Sequence, residues 1–296
     1  MEWLEAIKKA ISYIENNLTE DISIDDICKH IGFSSFYFQK GFNIITGFTI
    51  ATYIRNRKLY LAALDIITDK YKIIDIAFKY GYETPESFTK AYSRFHGMTP
   101  KETKTKIKNI KVFLPLKIKI EITGGNTMDY VVESLKEFEV IGFEYEVSYE
   151  ESYQVIPNYW TEIYKNYIKN LLDDKEPKTD IEKAIIDNGI GEFGVCIDDI
   201  GDKKFRYLIA GRYTGGNVPN GMVTYKFPDL DWAKFKAVGP MPGALQSVNT
   251  KVFKEWLPGN PDYAIADNFN IEWYSEKGSP KDENYESAVW VPVIKK

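Results

Sequence analysis

Apolar residues recur along the first hundred positions with the spacing of helices that each bury one stripe. Trp3, Leu4, Ile7, Ala10, Ile11, Ile14 and Leu18 fall at i, i+3/i+4 and i+7, which predicts an amphipathic helix over residues 2–18. From Asp21 to Lys101 the pattern then occurs twice. Ile24-Asp25-Asp26-Ile27 recurs as Ile73-Ile74-Asp75-Ile76, and Gly32-Phe33 recurs as Gly81-Tyr82. Phe38-Gln39-Lys40, Phe42, Gly47 and Thr49 recur as Phe88-Thr89-Lys90, Tyr92, Gly97 and Thr99. The offset is 49 residues up to the glycine and 50 after it, so the second copy has one extra residue in its turn. Each copy predicts a short helix, a turn opened by glycine, and a second helix starting at Ser, Thr or Pro. That arrangement is a helix-turn-helix, whose second helix enters the DNA major groove.

The pattern changes past residue 108. Residues 110–123 alternate apolar and charged side chains with period 2, which predicts a strand ended by Gly124-Gly125-Asn126 and belonging to a second domain. Further strands are expected at 130–134, 139–148, 193–198, 206–213, 222–227, 232–238, 270–275 and 288–293. Two helices are expected, one over about 153–172 and one following Pro242. The fold class is therefore two domains: an all-α domain with two helix-turn-helix motifs over 1–108, then an α+β domain of duplicated β-α-β-β units over 109–296. Two such units side by side leave a groove between their helices, a natural place for a small ligand.

Charge refines this division. The chain of 296 residues carries a net charge of −5, yet residues 1–108 hold 16 Lys/Arg against 13 Asp/Glu and the remainder 22 against 30. A modestly basic part joined to an acidic part suits DNA binding by the former. The two cysteines, Cys28 and Cys196, lie in different expected domains, and with two histidines no metal-ligand cluster is visible. No Ser/His/Asp set or Gly-rich phosphate loop appears, and no cofactor is called for. With no signal-peptide pattern and no apolar run of spanning length, a cytoplasmic location away from the membrane is expected.

The first stretch resembles the DNA-binding domain of the AraC/XylS family of bacterial transcription regulators. The helix from Ala51 to Leu64 matches that family's connector between motifs, and Ile76-Ala77, Gly81-Tyr82 and Phe95-His96-Gly97-Met98-Thr99-Pro100 match its second half. The resemblance covers about residues 3–107 and implies double-stranded DNA as partner, with RNA polymerase as a further one. In the first motif Ser35, Phe36, Gln39 and Lys40 are the expected base readers; Gln pairs with adenine, and Lys donates to guanine or phosphate. Glu86, Ser87 and Lys90 are their counterparts in the second motif. Glu86 repels phosphate, so the second motif is expected to read less sequence and mainly to hold the backbone. Arg55, Arg57, Lys58, Arg94 and Lys101 are the expected backbone contacts, each equally readable as a solvated charge. One chain carries both reading helices of a full site.

The second domain is rich in Tyr and Trp. In Asn268-Phe269-Asn270-Ile271-Glu272-Trp273-Tyr274, strand alternation puts Asn270, Glu272 and Tyr274 on one face, either solvated or aimed into a cavity. The stretches Asp129-Tyr130-Val131-Val132-Glu133, Phe138-Glu139-Val140-Ile141-Gly142, Ile271-Glu272-Trp273-Tyr274 and residues 288–293 resemble the GyrI-like effector-binding domain, which also follows AraC-type domains in Rob-like regulators. That resemblance implies Glu272 as the carboxylate for a hydrophobic, cationic small molecule, with Asn270, Trp160, Tyr164 and Tyr274 around it. The expected function is a ligand-responsive, non-enzymatic transcription regulator. Two alternatives stand beside it: Glu272-dependent hydrolysis of reactive lipophilic compounds, as some stand-alone relatives carry out, and a protein-contact role for the second domain.

Overall fold

The computed structural model describes residues 3–118, 128–171, 176–201 and 204–296. The chain divides into two compact units, Met1–Thr123 and Gly124–Lys296.

Among the described residues, the first unit contains six α-helices: α1 (Trp3–Asn16), α2 (Ile24–Ile31), α3 (Ser35–Thr46), α4 (Ile50–Thr68), α5 (Ile73–Lys79) and α6 (Pro85–His96). Local sequence explains their ends. Ser23 and Asp26 form a reciprocal capping box at the start of α2, and Ser34, Thr49 and Thr84 cap α3, α4 and α6 through their hydroxyls. Gly32, Gly47 and Gly97 take left-handed conformations where α2, α3 and α6 stop, which residues with a Cβ rarely adopt. Pro85 opens α6, where its missing N–H leaves no bond unmade. Leu59, Ala62, Ala63 and Ile66 of α4 form the second motif's core with Ile76, Ala77, Phe88 and Tyr92.

Residues 110–118 are not a strand, and they belong to the helical unit, so the division falls later than 108. The alternating face is not the buried one: Val112 and Leu114 are 61% and 63% exposed. The segment is held instead as a strap. Lys111 N–H donates to His96 Nδ1 at 3.2 Å, Arg57 Nη1 donates to the Phe113 carbonyl, and Leu116 N–H donates to Tyr53 Oη at 3.3 Å. Phe113 packs on the rings of Phe48, Tyr53 and Phe95, and Ile110 packs against the second motif's core. Side chains of the helical unit thus take up three of its backbone groups in place of a strand partner. The rest of the expected strand, and the Gly124–Asn126 stop, fall outside the described residues.

The second unit has nine strands among the described residues: β1 (Tyr130–Leu135), β2 (Phe138–Ser148), β3 (Phe193–Gly201), β4 (Lys204–Arg212), β5 (Val223–Phe227), β6 (Leu230–Val238), β7 (Tyr263–Ile265), β8 (Phe269–Tyr274) and β9 (Glu286–Lys295). They form one sheet in the order β1-β6-β9-β8-β3-β4-β2-β5, with β7 on β9. The duplication is visible in that order. The three strands β2, β4 and β3 mirror β6, β9 and β8, and the halves meet where β3 runs antiparallel to β8. Among the described residues, three helices of more than one turn accompany the sheet: α7 (Ser152–Ile163), α8 (Asp180–Asn188) and α9 (Gly243–Lys251). The two that were expected, α7 and α9, fall one in each half, and both continue directly into a π turn, Tyr164–Ile168 and Val252–Trp256. The third, α8, was not expected from the sequence; a Thr179–Glu182 capping box starts it. Its last residue seats on β4, where a Cβ on Gly211 would stand 1.9 Å from the Asn188 carbonyl. One face of the sheet buries Phe138, Val195, Leu208, Phe227, Trp232 and Ile271 as a core.

Candidate functional site

Two places in the molecule gather the expected functional side chains. On α3, Ser35 and Lys40 are partly exposed, whereas Phe36 is 1% and Gln39 6% exposed, with Gln39 Nε2 donating to Ser35 Oγ at 3.1 Å. The Lys40 ammonium lies 5.8 Å from the Phe36 ring centre. On α6 the corresponding face is open. Glu86, Ser87, Lys90 and Arg94 are all exposed, and Pro85, Glu86, Thr89, Lys90 and Ser93 line a shallow depression of about 380 Å³.

Among the expected backbone contacts, Arg55 and Lys101 are exposed and Lys58 is half-buried, its Nζ 3.3 Å from the Glu20 carbonyl. Arg57 has a different task. It is 5% exposed and grips Glu15 with Nε and Nη2, both at 2.8 Å. Its guanidinium joins α1, α4 and the strap, so its charge is already committed inside the unit and is not available to phosphate.

In the second unit the candidate site is built on β8, β3 and β4 beneath α7. Glu272 pairs in register with Gly194 of β3, and Cys196, two residues on, pairs with both Asn270 of β8 and Tyr207 of β4. Antiparallel partners share a face, so Asn270, Glu272, Gly194, Cys196 and Tyr207 point to one side of the sheet. Tyr207 Oη donates to Glu272 Oε2 at 2.9 Å, and Tyr274 Oη donates to the same oxygen at 2.8 Å. Trp160 of α7 completes the group. Its Nε1 donates to Tyr207 Oη at 2.9 Å, and its ring meets Tyr274 edge-on at 4.6 Å. Gly194 makes this possible, since a Cβ there would lie 2.2 Å from Tyr207 Oη and 2.9 Å from Glu272 Oε2. Burial pushes the Tyr207 and Tyr274 hydroxyls well above the ordinary tyrosine pKa, and the Glu272 charge adds to the shift. Trp273 turns to the other face, where its Nε1 donates to Glu192 Oε1 at 3.1 Å.

The structure thus brings Glu272, Tyr274 and Trp160 together as expected, with Asn270 beside them, buried at 2% exposure. Tyr164 is not among them: it sits 46% exposed in the π turn. Tyr207 and Gly194 are the members that sequence reasoning misses. A glycine inside Phe193-Gly194-Val195-Cys196-Ile197, a stretch that otherwise reads as strand, is the available signal, because such a glycine marks close approach by another group. Both oxygens of a carboxylate can accept, yet only Oε2 of Glu272 is engaged, and no cationic side chain pairs with it among the described residues. No group of His, Cys, Asp and Glu able to hold a metal is found among the described residues. No described helix is long and apolar enough to cross a membrane.

Comparison with known proteins agrees with this division. Residues 131–293 match the family of integron-associated effector binding proteins, and residues 23–106 match a helix-turn-helix domain. The transposon Tn10 TetD protein of Escherichia coli is 37% identical over 94 residues, 32% of this chain and 68% of that protein. The HTH-type transcriptional activator AarP of Providencia stuartii is 36% identical over 94 residues, 32% of this chain and 70% of its own. A solved structure of SAV2435 bound to tetraphenylphosphonium is 20% identical, with a TM-score of 0.44, and spans 56% of this chain and 94% of that one.

Proposed function

The chain belongs to the integron-associated effector binding protein family, joined to an AraC-type helix-turn-helix domain that makes it a DNA-binding transcription regulator, and we propose that its effector is a lipophilic organic cation held against Glu272. The observation that carries this reading is the state of that carboxylate. Two tyrosine hydroxyls fix one oxygen, Trp160 and Tyr274 supply aromatic surface, and no basic side chain among the described residues balances the charge. A carboxylate with no basic side chain paired to it offers an entering cation a counter-charge that nothing else in the site supplies. Each aromatic face adds about 0.5–2 kcal/mol of attraction for it. The same site opposes anions.

Binding is favoured over turnover by the same hydrogen bonds. Tyr207 and Tyr274 occupy the lone pairs of Oε2 that would otherwise take a proton from an attacking water. On the DNA side, Ser87, Lys90 and Arg94 on the open face of α6, with Ser35 and Lys40 of α3, are the proposed contacts. RNA polymerase stands as a proposed further partner of the regulator.

The test titrates the full chain, as wild type and as Glu272→Gln, with tetraphenylphosphonium and with tetraphenylborate as the anion of matched shape, followed by calorimetry. Cation-selective binding that drops by tenfold or more in Glu272→Gln is the expected result. Equal binding by wild type and Glu272→Gln would remove Glu272 from the ligand site. Depletion of an electrophilic ester by wild type but not by Glu272→Gln would turn the reading toward hydrolysis.

A further inference from the structure

The two helix-turn-helix copies are not equally charged around their frames. Between the end of α4 and the start of α5, and against the turn of 3-10 helix at Pro100–Glu102, lies a cavity of about 480 Å³. Lys70, Lys72, Lys101 and Lys104 line it, together with Tyr71 and one carboxylate, Asp69. Lys104 is ion-paired with Asp69, and Lys70, Lys72 and Lys101 are exposed. The internal repeat supplies the control. At the 49- and 50-residue offsets, Lys70, Lys72, Lys101 and Lys104 correspond to Asp21, Ser23, Ala51 and Ile54 of the first copy. The first copy forms its own pair of helices, α2 and α3, without any of these four charges, so a helix-turn-helix frame does not need them.

We infer that this cavity is a phosphate receptor specific to the second motif, and that it seats a phosphodiester of the DNA backbone. The inference rests on the DNA-binding reading and adds to it a site outside both recognition helices. Three ammonium groups around one concavity repel each other until an anion arrives. The need for it is visible on α6. That helix presents Glu86 in its first turn, which pushes phosphate away, so Lys90 and Arg94 further along it gain from a second hold on the backbone beside the helix. The first motif, without the lysines, carries no acidic residue in the first turn of α3.

The experiment measures binding of full-length protein to a random 30-base-pair duplex across a potassium chloride series. It compares wild type, a Lys70→Gln/Lys72→Gln/Lys101→Gln variant, and Lys8→Gln as a control on α1. The log–log slope should become shallower in the triple variant by about 0.9 for each phosphate it no longer neutralises, and Lys8→Gln should match wild type. All three lysines are exposed, so the variant keeps its fold, checked by an unchanged melting curve. An unchanged slope in the triple variant, with a wild type that does bind, overturns the phosphate receptor and leaves the regulator reading intact. Absence of salt-dependent binding by wild type overturns both. A second arm replaces DNA by inorganic phosphate against chloride at equal ionic strength. A melting rise in wild type that the triple variant lacks, with no change in DNA slope, assigns the cavity to a free anion and overturns the DNA assignment.

Discussion

Gly194 decides whether the Glu272 carboxylate can exist in its observed place. The Tyr207 hydroxyl and Glu272 Oε2 both occupy the space that a side chain at 194 would take. Gly194→Ala must therefore displace Tyr207, which is wholly buried, or swing Glu272 out of its double hydrogen bond. Overpacking of this kind costs about 1–3 kcal/mol, and it removes the acceptor for Trp160 Nε1 if Tyr207 moves. The expected outcome is a lower melting temperature together with loss of tetraphenylphosphonium binding, read in the same thermal-shift experiment. A variant that melts lower yet binds the cation as well as wild type would show that the glycine serves packing alone. Glu272 and Tyr207 differ in how far the sequence reaches them. Strand alternation places Glu272 with Asn270 and Tyr274 correctly, because period 2 holds within one strand. Tyr207 is out of reach, since it depends on the register between β3 and β4, which no local pattern states. Arg57 misleads for a related reason: its partner Glu15 lies 42 residues away, and a basic residue on a half-buried helix reads the same as a solvated one.

At the level of elements, the helical repeat is legible because its helices carry their own stops, glycines in left-handed conformation, and each second helix its own hydroxyl cap. The strap over residues 110–118 is not. Its alternation of apolar and charged residues imitates an edge strand, but the groups that hold it are side chains from α4 and α6. His96 is the most telling of these. Its Nδ1 must accept from the Lys111 N–H, so the ring proton sits on Nε2 and faces the Leu59 carbonyl at 3.1 Å. Burial holds the imidazole below its ordinary pKa, with the Lys111 charge adding to the shift. The folded state thus prefers the neutral ring. The stability it contributes is fully present above the ordinary value of about 6.5 and is lost as pH falls from there through the lowered folded value. A proton added at Nδ1 removes the acceptor for Lys111 and costs about 1 kcal/mol for that bond. Hydrogen exchange at the Lys111 amide, corrected for intrinsic rates, should show a several-fold fall in protection between about pH 7.5 and pH 5, either side of the histidine range. Constant protection over that range would mean the strap is held without His96. The unexpected helix α8 has a different lesson. Its Thr179–Glu182 box is present in the sequence, but nine residues are a short run to weigh against a loop.

For the whole molecule, the division of charge and the division of structure point the same way. The helical half is the basic one, and the sheet half holds an unbalanced carboxylate. A cation bound at Glu272 changes DNA affinity only if it has different affinities for the DNA-bound and DNA-free protein. Linkage then makes the effect reciprocal: the factor by which cation alters the DNA dissociation constant equals the factor by which DNA alters the cation dissociation constant. For a working sensor that factor is expected at about 5–150. Both constants can be measured on one preparation, the first with labelled duplex at saturating tetraphenylphosphonium, the second by titrating the cation into the preformed complex. Ionic strength is held fixed, because an added organic salt also weakens phosphate contacts by screening. The two factors should agree, and Glu272→Gln should bring both to one while leaving DNA affinity without cation unchanged, since Glu272 belongs to the sheet unit and not to either reading helix. If the cation weakens DNA binding in wild type and in Glu272→Gln alike, it acts on the DNA or on the protein away from Glu272. The sensor role of the second unit would then have to be abandoned, while the AraC-type domain would remain a DNA-binding one.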